Sequence, residues 1–265
     1  MTKKVVAFMG SYRKGSTLKI VERFESELRA LGEVEFKYFW LKDLHMKPCR
    51  GCGLCISKGE EFCPLKDDRD QIYAGLMEAD GVILATPVYS LQVTALMKNM
   101  VDRLAFIFHR PRCFGKTFIP IVTQGVYGME KVALYLDEAA RLWGFRTCTG
   151  VALTIPWDKL LPEEEEQIDG AVKRKAADFF MQPHNPLLPV PSLKEVMMFH
   201  GVRSFHMANV GLPADHDYYM QQGWFTSDYF YPVKICWYKK LIGSWVGRKS
   251  RQQAQKIQQA RDLLP

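Results

Sequence analysis

Four cysteines crowd one short stretch, spaced Cys49-x2-Cys52-x2-Cys55-x7-Cys63, with Pro64 directly after the last. The two x2 spacings, through a glycine-containing turn, bring three thiolates close together, and the fourth returns after a short loop. A compact set of thiolates suits an iron–sulfur cluster, and ferredoxin runs likewise carry x2 spacings and a Cys-Pro ending. The last spacing here is longer than in those runs. Structural zinc and unmetallated redox-active thiols stay open beside the cluster, although zinc modules usually pair two separated CxxC knuckles.

Three further stretches carry binding chemistry. Ser11, Arg13, Gly15, Ser16 and Thr17 place hydroxyls, a guanidinium and a flexible glycine just before a helix start, where free N–H groups and the positive helix end favour a phosphate. The loop is neither GxGxxG nor a Walker loop, because Gly15 is followed by Ser16 rather than Lys, and it suits a mononucleotide phosphate better than ATP. Pro87, Val88, Tyr89 and Ser90 offer backbone amides, a rigid proline and an aromatic that can lie beside a flat ring. Thr123, Gln124 and Gly125 open a third loop, in which glycines let backbone approach a ligand closely.

The elements that must position these stretches alternate. Residues 5–9, 34–41, 81–86, 117–123 and 146–154 read as strands. Helical periodicity marks 18–31, with Gly32 closing it, then 67–79, 95–108, 129–142 and a further helix beginning at the acidic run 163–166. Strands that are apolar rather than half-polar belong to a parallel sheet covered on both faces, here in the order 2-1-3-4-5. In such a sheet ligands sit beyond the carboxyl ends of the strands where the order reverses, which gathers the three loops at one edge. Pro183, Pro186, Pro189 and Pro191 mark a linker over 182–192. The expected organisation is one domain over 1–181, with the cysteine segment 47–65 inserted, and an aromatic, basic extension over 182–265 whose rings pack on the core or on a second subunit.

Residues Gly10-Ser-Tyr-Arg-Lys-Gly-Ser-Thr17 resemble the GSxRxxS loop of the NADPH-dependent FMN reductases. Thr86-Pro-Val-Tyr-Ser90, followed by Leu96-Met-Lys-Asn-Met-Val-Asp-Arg103, is similar to that family's second signature. The resemblance covers about residues 3 to 155. It implies a flavodoxin-like α/β fold, a five-stranded parallel sheet with helices on both faces, and electron transfer from NAD(P)H through FMN to a small-molecule or protein acceptor. By the same resemblance Ser11, Arg13, Ser16 and Thr17 would hold the FMN phosphate, while residues 87–90 and 123–125 would flank the isoalloxazine. The cysteine segment resembles that of the iron–sulfur flavoproteins, a branch of this family. That implies Cys49, Cys52, Cys55 and Cys63 as ligands of a 4Fe-4S cluster in a homodimer or homotetramer. A cluster-free quinone- or azo-type reductase and a pure electron carrier are the rival readings.

The remaining chemistry-bearing residues read as structural. No catalytic acid or base is assigned, since the cofactor would carry the chemistry. Cys113, Cys148 and Cys236 read as buried small residues, His45 as packing or surface, and Lys98, Asp102 and Arg103 as helix packing and ion pairing. His200, His206 and His216 show no metal spacing. The formal charge of +7 resides entirely in the tail from Lys234, which holds eight Lys or Arg against Asp262, leaving 28 basic and 28 acidic residues elsewhere. That balance excludes a global nucleic-acid face, and the tail, with Trp237 and Trp245, reads as a solvated terminal helix in preference to a contact with anionic lipid or an acidic redox partner. With no signal-peptide pattern and no apolar run of spanning length, a cytoplasmic protein without a transmembrane segment is expected, its thiols free, metal-bound or redox-active.

Overall fold

The computed structural model describes residues 2–156, 158–182 and 188–262. Contacts divide the chain into two compact units, one formed by residues 1–50 and 65–186, the other by 51–64 and 187–265. Most of the cysteine segment therefore groups with the C-terminal unit, whereas the sequence placed it inside the first domain. Pro183 and Pro186 of the expected linker lie outside the described residues.

The first unit is built on a parallel sheet. Strands β1 (Lys3–Met9), β2 (Val34–Trp40), β3 (Gly81–Pro87), β4 (Thr117–Gln124), β5 (Arg146–Thr147) and β6 (Val151–Thr154) lie in the order β2-β1-β3-β4-β5, with β6 also on β4. The inner strands are buried almost throughout because helices cover both faces, while edge strand β2 alternates and exposes Glu35 and Lys37. Exposed charge of this kind keeps an edge from pairing with another chain. Val5, Ala7, Met9, Ile83, Ala85, Ile119 and Ile121 form one sheet face, beneath Val21, Phe24 and Leu28 of α1 (Ser16–Leu31) and Val172, Ala176 and Phe179 of α7 (Pro162–Met181). Arg23 of α1 joins the two helices through Glu165 at 2.5 Å and Asp169 at 2.8 Å. The unit also holds α3 (Arg69–Glu78), α4 (Ala95–Arg103), α5 (Phe106–His109) and α6 (Met129–Trp143). The single helix expected over 95–108 is thus two, separated at Leu104.

The fifth strand is likewise split, and β4 explains why. The carbonyls of Lys116, Phe118 and Gln124 accept from Arg146, Cys148 and Ile155, so even-numbered residues of β4 face this neighbour. Pro120 has the same parity and no N–H, so the ladder fails between Thr147 and Val151. Gly150 fills the gap: a Cβ there would lie 2.7 Å from Pro120 Cγ and 2.9 Å from its carbonyl oxygen.

In the second unit, α2 (Leu54–Ser57) packs on α9 (Pro213–Gln221), and α8 (Leu193–Met207) on α10 (Trp237–Asp262). Gly243 and Gly247, one turn apart on α10, admit the His200 ring and the Ser204 hydroxyl of α8; a Cβ at either would lie within 2.8 Å of them. Aromatic side chains between Phe199 and Tyr231 pack on one another, while Trp237 and Trp245 do not join them: Phe230 lies 4.7 Å from Phe199 and 4.8 Å from Trp224, centroid to centroid, and Trp224 Nε1 donates to the Phe230 carbonyl. His200 is buried, with Nδ1 3.0 Å from an Arg203 nitrogen. Among the described residues no helix is long and apolar enough to cross a membrane.

Two stability predictions follow from this packing. Gly150→Ala should lower unfolding free energy by about 1–3 kcal/mol in urea titration, because the new Cβ strikes the rigid Pro120 ring and its backbone carbonyl. Burial, reinforced by Arg203, holds the His200 imidazole below its ordinary value. The unfolded chain then takes up the proton first, so this contribution, intact above the unfolded value, is lost as pH falls toward the folded one. Urea midpoints should fall from pH 7.5 to about 5.5, and His200→Gln should flatten that dependence.

Candidate functional site

Beyond the carboxyl ends of β1, β3, β4 and β6 lies a cleft of about 440 Å³. Of the twelve residues expected at a cofactor site, the structure brings eleven to its walls: Ser11, Arg13, Gly15, Ser16, Thr17, Pro87, Val88, Tyr89, Thr123, Gln124 and Gly125. Ser90 is not among the lining residues. It shares with Leu91 the tip of a two-residue hairpin closed by the Tyr89–Gln92 pair, both tip residues holding positive φ (49° and 66°). Sequence reasoning missed Lys14, Ile155 and Pro156. Lys14 stands in a loop already singled out, and Ile155-Pro156 could have been found as the carboxyl end of the strand beside β4.

Polar groups at the cleft divide into those that hold the loops and those left to face a ligand. The Ser11 hydroxyl donates to the Arg13 carbonyl at 2.8 Å and accepts from the Arg13 N–H, shaping the first loop. Thr17 Oγ1 meets Thr123 Oγ1 at 2.7 Å, joining the start of α1 to the end of β4. Gln124 accepts from the Met129 N–H and donates to Thr154, each at 2.8 Å, so its amide braces the turn into α6. Thr94 caps α4 and donates to the Gly10 carbonyl at 2.6 Å, and the Val88 N–H donates to the Thr123 carbonyl. Arg13, Lys14 and Ser16 remain exposed beside the first turn of α1, which has no side-chain cap and no acidic residue. That is the chemistry of an anion site. Pro87, Val88, Ile155 and Pro156 give the cleft an apolar stretch of wall, with Tyr89 beside them.

A second constellation holds the neck of the cysteine segment. Arg103, assigned from sequence only to packing and ion pairing, is buried and donates to both carboxylate oxygens of Asp67, at 2.7 and 2.9 Å, and to the Lys47 carbonyl at 2.8 Å. Asn99 accepts from the Cys49 N–H and donates to the Met46 and Lys47 carbonyls. Asp67 also accepts from the Lys47 N–H, and Asp68 from that of His45. Burial alone would raise the Asp67 carboxyl, but Arg103 and the N–H groups of Lys47 and Arg69 hold it below its ordinary range. These contacts pin the chain on both sides of residues 49–63. Between them Gly51 and Gly53 take φ of 63° and 70°, a left-handed geometry that glycine adopts without strain.

No disulfide engages any of the seven cysteines; Cys49 and Cys52 are exposed, and Cys55 and Cys63 half-buried. Cys113 and Cys148 are the buried residues expected, their thiols pushed up by burial to about 12 and about 11. Cys236 is not. It is exposed because it stands just before α10, where its carbonyl accepts from the N–H groups of Lys239 and Lys240. Lys98 and Asp102 form a surface pair at 2.5 Å, and His45 is exposed, as read from sequence.

Comparison with known proteins places this geometry. Residues 3–157 match the family model described as NADPH-dependent FMN reductase. An iron–sulfur flavoprotein of Archaeoglobus fulgidus is 41% identical over 144 residues, 53% of this chain and 64% of that protein. One from Methanosarcina thermophila is 32% identical over 100 residues, 38% of this chain and 51% of that protein. The matches thus span about half to two-thirds of these relatives. Among solved structures, RosB with its bound intermediate 8-demethyl-8-formylriboflavin-5'-phosphate shares the fold, with a TM-score of 0.55 at 12% identity over 89% of this chain and 92% of that one.

Asp67→Asn should be the most damaging single change at the neck. It leaves the Arg103 guanidinium buried against a neutral amide, and should lower stability by about 3 kcal/mol or more. Urea unfolding reads the loss, and limited proteolysis should show earlier nicking within residues 49–63.

Proposed function

The chain belongs to the NADPH-dependent FMN reductase family of flavin-dependent oxidoreductases, and from that premise we propose that its cleft binds FMN for NAD(P)H-linked electron transfer. The observation that carries this reading is that one cleft is lined both by exposed basic and hydroxyl side chains at the uncapped start of α1 and by an apolar stretch of wall. At the first, Arg13, Lys14, Ser16 and the uncapped N–H groups of α1 would take the phosphate, with Ser11, Thr17 and Gly15 shaping the loop around it. At the second, Pro87, Val88 and Tyr89 together with Thr123, Gln124 and Gly125 would flank a planar ring system, with Ser90 at the hairpin tip. FMN supplies the exchange between a hydride donor and one- or two-electron acceptors. The protein supplies a fixed orientation and a wall that limits water.

In this reading Cys49, Cys52, Cys55 and Cys63 hold a 4Fe-4S cluster. Their spacing supports it, as do the left-handed glycines between them and the iron–sulfur flavoprotein names of the relatives. The acceptor is a small molecule or a protein, and the working form a cytoplasmic homodimer or homotetramer.

The test is the visible spectrum of protein purified without oxygen, before and after acid release. Two resolved flavin bands over a broad, acid-bleachable absorption are expected, together with NAD(P)H oxidation. Arg13→Gln should weaken FMN binding by about tenfold or more, as for a lost charged hydrogen bond. Failure to take up FMN on reconstitution would sink the proposal, and flavin bands alone would refute the cluster.

A further inference from the structure

Helix α10 turns Gly243, Gly247 and Ala254 inward, and Ser250 donates to the Gly201 carbonyl of α8 at 2.7 Å. The residues on its other side are therefore those left to solvent. Trp237, Leu241 and Trp245 follow one another at four-residue spacing and are 76%, 59% and 54% exposed, with Tyr238 beside them at 44%. Residues at that spacing share a face. The next two turns replace the apolar side chains by Arg248, Lys249 and Arg251, all exposed, with Lys256 beyond. No acidic residue stands between Lys234 and Asp262. One helix thus presents an aromatic and aliphatic wedge followed by a stripe of positive charge.

We propose that this face of α10 docks onto an anionic lipid bilayer surface, the side chains of Trp237, Leu241 and Trp245 entering the headgroup boundary while Arg248, Lys249 and Arg251 meet lipid phosphates. Aromatic rings with a polar tip favour such a boundary, and basic side chains beside them add electrostatic attraction. A protein partner fits less well. Interface cores deplete Lys, whereas Trp, Tyr, Lys and Arg together on a helix without acids match a bilayer surface. The depth is interfacial, since no described helix is apolar enough to span.

The cofactor-loaded chain should be mixed with vesicles of phosphatidylcholine alone and of phosphatidylcholine with phosphatidylglycerol in equal parts. Sedimentation with the mixed vesicles only, a blue-shifted tryptophan emission and release by salt are expected. Replacing Arg248, Lys249 and Arg251 by Gln should weaken partition by about fivefold per charge, and replacing Trp237, Leu241 and Trp245 by Ser should abolish the emission shift. Circular dichroism checks that both variants keep their helices. The idea is overturned if anionic vesicles leave the protein in solution at low salt, or if the folded variants bind as the parent does. It is equally overturned by a lipid-free dimer that the Ser variant loses, or by retention on polyglutamate matching that on vesicles, which would assign the face to a second copy or an acidic protein.

Discussion

The structure depends on one constraint: parallel strands buried on both faces leave no place for polar chemistry except at their ends. β1, β3 and β4 show hardly any exposed side chain along their length, so hydroxyls, amides and charges collect in the loops that leave the sheet. Because all strands run the same way, those loops share one edge. The strand order puts the loop after β1 beside the loop after β3, with that after β4 next to it. A cleft at this position follows from topology before any side chain is considered.

Within that edge, hydrogen bonding sorts the side chains by task. Thr17, Thr94 and Gln124 have their polar atoms joined to elements distant in sequence, while the Ser11 hydroxyl closes its own loop on Arg13. Removing any of them would leave a buried donor or acceptor unsatisfied, which costs about 1–3 kcal/mol. The exposed groups, Arg13, Lys14 and Ser16, stand on the scaffold these bonds make rigid. Binding residues so held need little further ordering when a ligand arrives. The strained tip at Ser90 and Leu91 belongs to the same edge, where backbone outliers tend to gather.

Much of this was legible in the sequence because the signals are local. Apolar runs gave strands, 3.6-residue periodicity gave helices, and turn residues located the loops, so the sheet order and eleven cleft residues could be named in advance. What could not be read depends on pairs far apart in the chain. Pro120 breaks a strand some thirty residues later, and only parity across the ladder reveals it. Arg103 reads as an ordinary helix-end charge until Asp67 and Lys47 are seen around it. The grouping of residues 51–64 with the C-terminal unit rests on α2 meeting α9.

The neck of the cysteine segment shows why such distant pairs matter. A buried ion pair rarely stabilises a fold more than well-packed apolar side chains would, because both charges lose water. Here the guanidinium and carboxylate do more than neutralise one another. Arg103 reaches Lys47 as well as Asp67, and Asn99 holds Cys49 by its backbone, so chain segments on both sides of residues 49–63 meet one helix, α4. The planar fork of arginine satisfies several acceptors in fixed directions, which a lysine at this position would not. The ion pair thus acts chiefly as a positional device. It holds the chain before residue 50 and after residue 64 against α4, whose cap Thr94 is bonded to Gly10.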